Sequence, residues 1–227
     1  MSAPNHVSRR HFLELTGAAA VASAWTADSY ANIVGANDRI NVGFIGAGGM
    51  ANGHMNTYNN LKEKNNLKAI AVADCWKTRA AAGAEKTGAE HTLTDYRKVL
   101  DLKEIDYVTI ATPEHQHAHM TIDALDAGKA IYCEKPMTPP IPEALAVMKK
   151  QAETKLPVQN GVQAMSDDSY ISARQAIEEG MLGQVVQAQI EYVRRYGEQG
   201  PWRKPDLKDD MPKPADLDWG AWLGPAP

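Results

Sequence analysis

Short apolar runs alternate with helical stretches from Arg39 to Gly161, and few folds accommodate this pattern. The apolar runs predict six strands, at residues 39–45, 67–73, 91–93, 107–111, 130–133 and 158–161. The stretches between them predict helices at 50–63, 77–86 and 95–100, a helix that ends at 127, and one at 142–154. Strands that alternate with helices of this length favour βαβ units. We therefore predict an α/β fold with a doubly wound parallel sheet, whose ligand crevice lies at the carboxyl ends of the strands.

A glycine-rich turn follows the first predicted strand and leads into the first predicted helix. It contains Gly46-x-Gly48-x-x-Ala51, a dinucleotide fingerprint with alanine in the third position. The first glycine allows a tight turn, the second lets a pyrophosphate approach the backbone, and the small third residue lets helix and strand pack. The helix N-terminus then offers free N–H groups to the phosphates. We predict cofactor binding here by Gly46, Ala47, Gly48, Gly49 and Met50; a turn without a ligand is the alternative.

An acidic residue at the expected distance supports the fingerprint. Asp74 ends the second predicted strand, and its carboxylate can accept hydrogen bonds from both hydroxyls of a ribose. The same charge would repel a 2′-phosphate, so we expect NAD rather than NADP. Lys77 and Arg79 lie close by and keep NADP open as the second choice.

The segment after the fourth predicted strand carries Thr112, Pro113 and three alternating histidines, His115, His117 and His119. Thr112 and Pro113 suit the cap and the first position of the next helix. The histidines raise the possibility of a zinc site. On a helix, however, His117 points away from the other two, and no cysteine or carboxylate pair completes four ligands. We therefore predict no metal site.

Glu134-Lys135-Pro136 follows the fifth predicted strand. A lysine beside an oxidised nicotinamide would have a cationic neighbour and would be partly desolvated. Both effects make it usable as an acid–base group near neutral pH. The alternative is a solvated lysine in a turn.

The sequence contains three motifs in this order: the glycine turn, the Ala-Thr-Pro-x-x-x-His run that ends at His117, and Cys-Glu-Lys-Pro-Met at 133–137. In order and spacing they resemble the Gfo/Idh/MocA oxidoreductases, from about residue 37 to the end of the chain. The resemblance implies a Rossmann domain that binds NAD(P), followed by the start of an α+β second domain. By the same resemblance, Gly46, Gly48 and Asp74 are expected to bind the dinucleotide. Thr112, Pro113 and His117 are expected to line its nicotinamide side, and Glu134 and Lys135 to contact cofactor and substrate. Lys135 is then the expected catalytic lysine.

The resemblance suggests three parts: a signal and linker at 1–35, the NAD(P)-binding domain at 36–160, and the beginning of a substrate domain at 161–227. In the last part we predict a helix at 169–179, a strand at 185–196, and a tail that packs its tryptophans on some other surface. Members of the family carry an Asp-x-x-x-His constellation in the second domain, whereas no histidine follows His119 here. We therefore expect a truncated chain whose catalytic set is incomplete.

Ser8-Arg9-Arg10-His11-Phe12-Leu13 precedes an alanine-rich stretch and resembles a twin-arginine export signal. This predicts a periplasmic or otherwise exported protein; an N-terminal helix that belongs to the fold is the alternative. Cys75 and Cys133 end two different predicted strands, so we expect free thiols, which agree with folding in a reducing compartment before export.

The net charge of -4 and the scattered basic residues exclude a nucleic-acid footprint, and no apolar run is long enough to span a membrane. The resemblance implies hydride transfer between a nicotinamide dinucleotide and a hydroxyl-bearing carbon of a sugar or cyclitol. An exported NAD-dependent glycosidase and a non-catalytic dinucleotide-binding protein are the alternatives. We also expect the full-length protein to form a homo-oligomer through the sheet of its second domain.

Overall fold

The computed structural model describes residues 39–191, 193 and 212–224. In this part of the chain six strands form one parallel sheet: β1 (Ile40–Ile45), β2 (Leu67–Ala73), β3 (His91–Leu93), β4 (Tyr107–Ile110), β5 (Ala130–Glu134) and β6 (Val158–Gly161). Their spatial order is β3-β2-β1-β4-β5-β6. This order reverses between β1 and β4, where a doubly wound sheet opens its ligand crevice. The predicted fold class is confirmed.

Helices connect the strands and begin and end close to the predicted positions. They are α1 (Gly49–Leu61), α2 (Lys77–Thr87), α3 (Tyr96–Asp101), α4 (His117–Asp126), α5 (Ile141–Thr154), α6 (Asp168–Glu178) and α7 (Trp219–Leu223). A short 3₁₀ helix, Glu114–Gln116, precedes α4. The sequence did not predict α7, which lies in the tryptophan-rich tail.

The core has two layers because helices cover both faces of the sheet. One layer centres on Phe44, Met55 and Val72 and packs β1 and β2 against α1 and α2. The other includes Ile110 and Leu125 and packs the sheet against α3 and α4. Strands buried on both faces have continuous apolar runs, as β2 does with Leu-Lys-Ala-Ile-Ala-Val-Ala. Each fully buried large side chain contributes on the order of 1.5–3 kcal/mol.

A close backbone approach explains why the turn after β1 begins with glycine. Gly46 has a φ of +94°, and a Cβ on it would lie 2.6 Å from the carbonyl oxygen of Ala111. The end of β4 thus passes directly over the first residue of the turn. Only glycine accepts both the conformation and the contact without strain.

The predicted strand at 185–196 is wrong for the part that can be assessed. Residues 185–191 form no strand, and residues 192 and 194–196 lie outside the described part of the chain. Val186 and Ile190 are both almost fully exposed. A strand needs a neighbour for its backbone groups, and none of the described residues pairs with this segment.

The tail packs on this chain itself. Leu217 forms an antiparallel bridge with Trp76, directly before α2. Trp219 and Trp222 stack on each other with ring centroids 4.7 Å apart. Trp202 lies outside the described residues.

We predict that Gly46→Ala destabilises the protein by about 1–3 kcal/mol, because a non-glycine residue is strained at positive φ. Overlap with the Ala111 carbonyl adds to this cost. The free energy of unfolding in urea measures the effect. Gly53→Ala is the matched control: a Cβ there meets nothing within 4 Å, and alanine inside a helix should be neutral or stabilising. Equal stability of the two variants would contradict the proposed constraint at Gly46.

Candidate dinucleotide-binding site

The predicted site residues lie at the carboxyl ends of β1, β2, β4 and β5, where two adjoining cavities open. The larger cavity has a volume of about 620 Å³, and Gly46, Asp74, Gln116 and Trp222 are among its lining residues. The smaller cavity has a volume of about 290 Å³, and Met50, His117, Glu134 and Lys135 are among its lining residues. Both are lined by Arg79, Ala111, Thr112 and Pro113. A single ligand can therefore extend through both cavities.

Asp74 connects the glycine turn to the end of β2. One of its carboxylate oxygens accepts a hydrogen bond from the backbone N–H of Ala47 at 2.8 Å, and the other accepts one from the N–H of Trp76 at 2.8 Å. An ionised carboxylate has about four lone-pair sites, so capacity remains for ribose hydroxyls. Asp74 thus shapes the turn and also lines the larger cavity.

The N-terminus of α1 is open to an anion. Gly48 is its N-cap residue, no side chain accepts a cap hydrogen bond there, and the first turn has no acidic residue. The unpaired N–H groups and the helix dipole make this a favourable position for phosphate. Gly49 and Met50 form the first turn and line the smaller cavity.

Arg79 adds a positive charge where the two cavities meet. Its guanidinium lies over the Trp76 ring, 4.5 Å from the centroid. A Cβ on Gly48 would lie 3.6 Å from its Nη1, so the cation lies beside the glycine turn. From the sequence we considered Arg79 only for the choice between NAD and NADP. Its position in the first turn after the Asp74 loop is the signal that could have indicated a phosphate contact.

The expectation that Thr112 caps a helix is wrong. Pro113 is the N-cap residue of the 3₁₀ helix, with an extended ψ of 147°, so the first turn starts one residue later than expected. The Thr112 hydroxyl instead lies 3.6 Å from the Met120 Sδ. Thr112 and Pro113 nevertheless line both cavities.

His117 is buried, with 1% of its surface exposed, and joins two loops. Its Nδ1 lies 2.7 Å from the carbonyl oxygen of Pro136, and its Nε2 lies 2.9 Å from that of Thr112. Because both partners only accept hydrogen bonds, the ring donates to one of them, and to both when it is protonated. His117 thus ties the loop after β4 to the loop that carries Lys135, although part of it also lines the smaller cavity.

Glu134 is 5% exposed and belongs to a polar cluster at the end of β5. Its Oε1 lies 2.9 Å from the Nε2 of His54 on α1 and accepts a hydrogen bond from the Tyr132 hydroxyl at 3.3 Å. Its Oε2 accepts one from the backbone N–H of Lys135 at 3.1 Å. The sequence analysis missed His54, because the two residues are far apart in the chain.

Lys135 follows Glu134 and lines the smaller cavity, but its side chain is exposed. The partial desolvation expected from the sequence is therefore not supplied by the described residues. Lys135 precedes Pro136 through a cis peptide bond.

The three alternating histidines have separate partners. His115 Nε2 lies 3.1 Å from the carbonyl oxygen of Trp222, and His119 packs edge-on against Tyr96. Burial lowers the pKa of His119, so its ring is neutral at neutral pH. Among the described residues, no group of three or more histidine, cysteine or acidic side chains could hold a metal ion.

The site fits a dinucleotide on its own geometry. A glycine turn whose first residue, Gly46, has no room for a Cβ leads into an uncapped helix, and the cation of Arg79 lies beside the turn. The Asp74 carboxylate lines one cavity and the exposed Lys135 lines the other, and Arg79 lines both. No helix in the described part of the chain has the length and apolar character needed to cross a membrane.

A family comparison agrees with this geometry. Residues 40–162, more than half of the chain, match the family GFO_IDH_MocA, described as an oxidoreductase family with an NAD-binding Rossmann fold.

Individual relatives include inositol 2-dehydrogenase of Corynebacterium glutamicum strain R, which is 31% identical over 148 residues. That alignment covers 65% of this chain and 43% of the relative. Levoglucosan dehydrogenase of Pseudarthrobacter phenanthrenivorans is 30% identical over 162 residues, which cover 68% of this chain and 41% of the relative. The chain thus spans less than half the length of these relatives.

Solved structures show the same similarity. Levoglucosan dehydrogenase in complex with NADH superposes with a TM-score of 0.60 and 30% identity, over 64% of this chain and 41% of that one. Scyllo-inositol dehydrogenase from Lactobacillus casei, with NAD(H) and scyllo-inositol bound, superposes with a TM-score of 0.59 and 26% identity. That match covers 64% of this chain and 42% of the other.

Cys75 allows a direct chemical test of the larger cavity, which it lines. Burial, followed by the charge of Asp74, raises the pKa of its thiol to about 11. Because only the thiolate reacts, we predict that the rate of alkylation of Cys75 rises about tenfold per pH unit and is still rising at about pH 9–10. NAD or AMP should protect Cys75 from the reagent.

Mass spectrometry of the alkylated peptides measures this rate, with Cys75→Ser as the control. Cys133 is buried and should react far more slowly. A rate that levels off near pH 8.5, as for an ordinary thiol, would contradict the predicted environment of Cys75.

Proposed function

The chain belongs to the Gfo/Idh/MocA oxidoreductase family and contains its NAD-binding Rossmann domain, and on this basis we propose the activity of the protein that carries it. The protein transfers a hydride between NAD and a hydroxyl-bearing carbon of a sugar or cyclitol. The single observation that carries the proposal is the line of groups through the two cavities. Asp74 lies in the larger cavity, the uncapped N-terminus of α1 lies at the junction, and Lys135 lies in the smaller cavity.

The residues divide the dinucleotide between the cavities. Asp74 binds the adenosine ribose, and its charge favours NAD over NADP. The backbone of Gly48, Gly49 and Met50 would hold the pyrophosphate, and Arg79 would offset part of its negative charge. The residues that line the smaller cavity, including Glu134 and Lys135, would hold the nicotinamide riboside. NAD, when bound, supplies the hydride acceptor at the nicotinamide ring.

Lys135 is the catalytic residue in this proposal. It holds the hydroxyl of the substrate and exchanges the proton that leaves or returns with the hydride. Glu134 is fixed by His54 and by the backbone N–H of Lys135, and it positions the start of the loop. His117 holds the same loop from the other side through Pro136. These contacts restrict where the flexible lysine chain can reach.

The substrate class rests on the relatives. Inositol, scyllo-inositol and levoglucosan dehydrogenases oxidise polyhydroxylated rings, and they share this domain with the chain. A ring with several neighbouring hydroxyls would also find a hydrogen-bond donor in the smaller cavity, which the exposed Lys135 lines. The glycosidase and the binding-only functions are not favoured by these relatives.

We also propose that the protein is exported by the twin-arginine route and forms a homo-oligomer. The export proposal rests on Ser8-Arg9-Arg10-His11-Phe12-Leu13, which lies outside the described residues. The proposal of an oligomer rests on the family resemblance. A domain that binds its cofactor before export would suit a route that carries folded proteins.

We predict that Asp74→Ala weakens NAD binding at least about tenfold, because hydrogen bonds to a charged group contribute about 1.5–3 kcal/mol. NADP binding should fall less, because the variant no longer repels the 2′-phosphate. The NAD-to-NADP affinity ratio therefore falls, and this ratio cancels any general loosening of the glycine turn. Calorimetric titration measures the affinities for NAD and for NADP, with exposed Asp101→Ala as the control. An unchanged ratio would argue against Asp74 as the ribose ligand.

We predict that Lys135→Ala removes substrate-dependent NADH formation while NAD affinity changes less than about threefold, because the lysine acts on the substrate proton. The assay follows the absorbance of NADH with inositols and anhydrosugars, and exposed Lys149→Ala serves as the matched control. Glycoside cleavage without net NADH would indicate the glycosidase instead. In the protein that carries this chain, NAD binding without either reaction would leave a binding protein and overturn the proposed activity.

A further inference from the structure

We propose that residues 212–224, here called the C-terminal segment, form the outer wall of the adenosine-binding site and slow the release of NAD. The proposal rests on the proposed function, because it takes the adenosine half of NAD as the occupant of the larger cavity. It assigns a binding role to a part of the chain outside the family match at residues 40–162.

One end of the C-terminal segment is attached to the loop after β2. The Asp216 carboxylate accepts hydrogen bonds from the Trp76 indole N–H at 2.9 Å, the Thr78 backbone N–H at 2.9 Å and the Thr78 hydroxyl at 2.6 Å. The backbone adds bonds from Lys77 N–H to Asp216 and from Asp218 N–H to Cys75. The donors from Thr78 lower the pKa of Asp216, so this carboxylate is charged at neutral pH.

The other end is attached to the loop after β4. The side-chain amide of Gln116 donates a hydrogen bond to the Ala221 carbonyl oxygen at 3.1 Å. His115 Nε2 lies 3.1 Å from the Trp222 carbonyl oxygen, and the two rings pack edge-on. The C-terminal segment thus reaches from the loop after β2 to the loop after β4. These two loops form the opposite sides of the crevice.

Between its two attachments the C-terminal segment lines the larger cavity. Asp218, Ala221 and Trp222 line it together with Gly46 and Asp74. A ribose bound at Asp74 therefore has protein on its outer side as well as beneath it. The C-terminal segment therefore narrows the path by which an adenosine leaves this cavity.

The nature of the attachments supports a covering role rather than a core role. Trp219 keeps 43% of its surface exposed while it stacks on Trp222, so the C-terminal segment buries little apolar surface there. Hydrogen bonds hold it instead, three of them to the charged Asp216 carboxylate, and the donors on Trp76, Thr78 and Gln116 lie outside the sheet.

The contents of the larger cavity suit adenosine. The carboxylate of Asp74 suits a ribose diol, and neutral His119 and the backbone around Gln116 offer polar contacts for a base edge. Arg79 at the junction favours a phosphate on the inner end of the ligand. A nucleoside 5′-phosphate has this order of groups, with the base at one end and the phosphate at the other.

The test weakens the attachment of Asp216 to the loop after β2, in the full 227-residue chain. Asp216→Ala removes all three bonds to the carboxylate, and Thr78→Ala removes only the hydroxyl bond. Matched controls are exposed Asp101→Ala and exposed Thr92→Ala. Stopped-flow mixing with excess competitor gives the NAD dissociation rate, and equilibrium titrations give affinities for AMP and for nicotinamide mononucleotide.

We expect Asp216→Ala to release NAD about tenfold faster and to bind AMP about tenfold more weakly, because hydrogen bonds to charged groups are the strong ones. Thr78→Ala should show a smaller change in the same direction. Affinity for nicotinamide mononucleotide should stay as in the wild type, because that ligand does not reach the larger cavity.

Three other results have separate meanings. Wild-type protein that binds neither NAD nor AMP would overturn the proposed function. Wild-type binding with unchanged release of NAD and unchanged AMP affinity in both variants would overturn the role of the C-terminal segment alone. An equal loss for nicotinamide mononucleotide would also overturn it, because the variants would then act through the fold as a whole.

Discussion

The Asp74 carboxylate links the parts of the site that no single element could place. It accepts one hydrogen bond from the glycine turn after β1 and another from Trp76 after β2. This glycine turn leaves the N-terminus of α1 without a side-chain cap, so that it is open for phosphate. Trp76 carries the guanidinium of Arg79 on its ring face and donates its indole N–H to Asp216. The phosphate site, the ribose site and the cover of the larger cavity are therefore connected through Asp74 and Trp76, both of which are half-buried.

The two halves of the site differ in how complete they are. The larger cavity has a floor of strand ends, side loops and an outer wall formed by the C-terminal segment. The smaller cavity leaves the Lys135 side chain exposed. In the relatives this domain accounts for less than half of the protein. The described residues therefore surround the larger cavity on more sides than the smaller one, which leaves Lys135 open.

Local signals in the sequence were sufficient for the sheet, because each strand and helix has its own periodicity and the glycine turn has its own fingerprint. They failed where a contact joins distant residues. Asp216 and Trp76 are 140 positions apart, and no local pattern predicts their hydrogen bond. The capping role expected for Thr112 failed because Pro113 is extended, which moves the start of the helix. The strand expected at 185–196 has β-favouring residues but, among the described residues, no partner, and propensity alone does not form a sheet.

A crystal structure of the protein with NAD tests the central claim most directly. The account predicts one dinucleotide that extends through both cavities, with its pyrophosphate on the backbone of Gly48 and Gly49 beside Arg79. The adenosine would lie between Asp74 and the C-terminal segment, and the nicotinamide would point towards Lys135. A pyrophosphate bound away from the N-terminus of α1, or a nicotinamide in the larger cavity, would contradict the account.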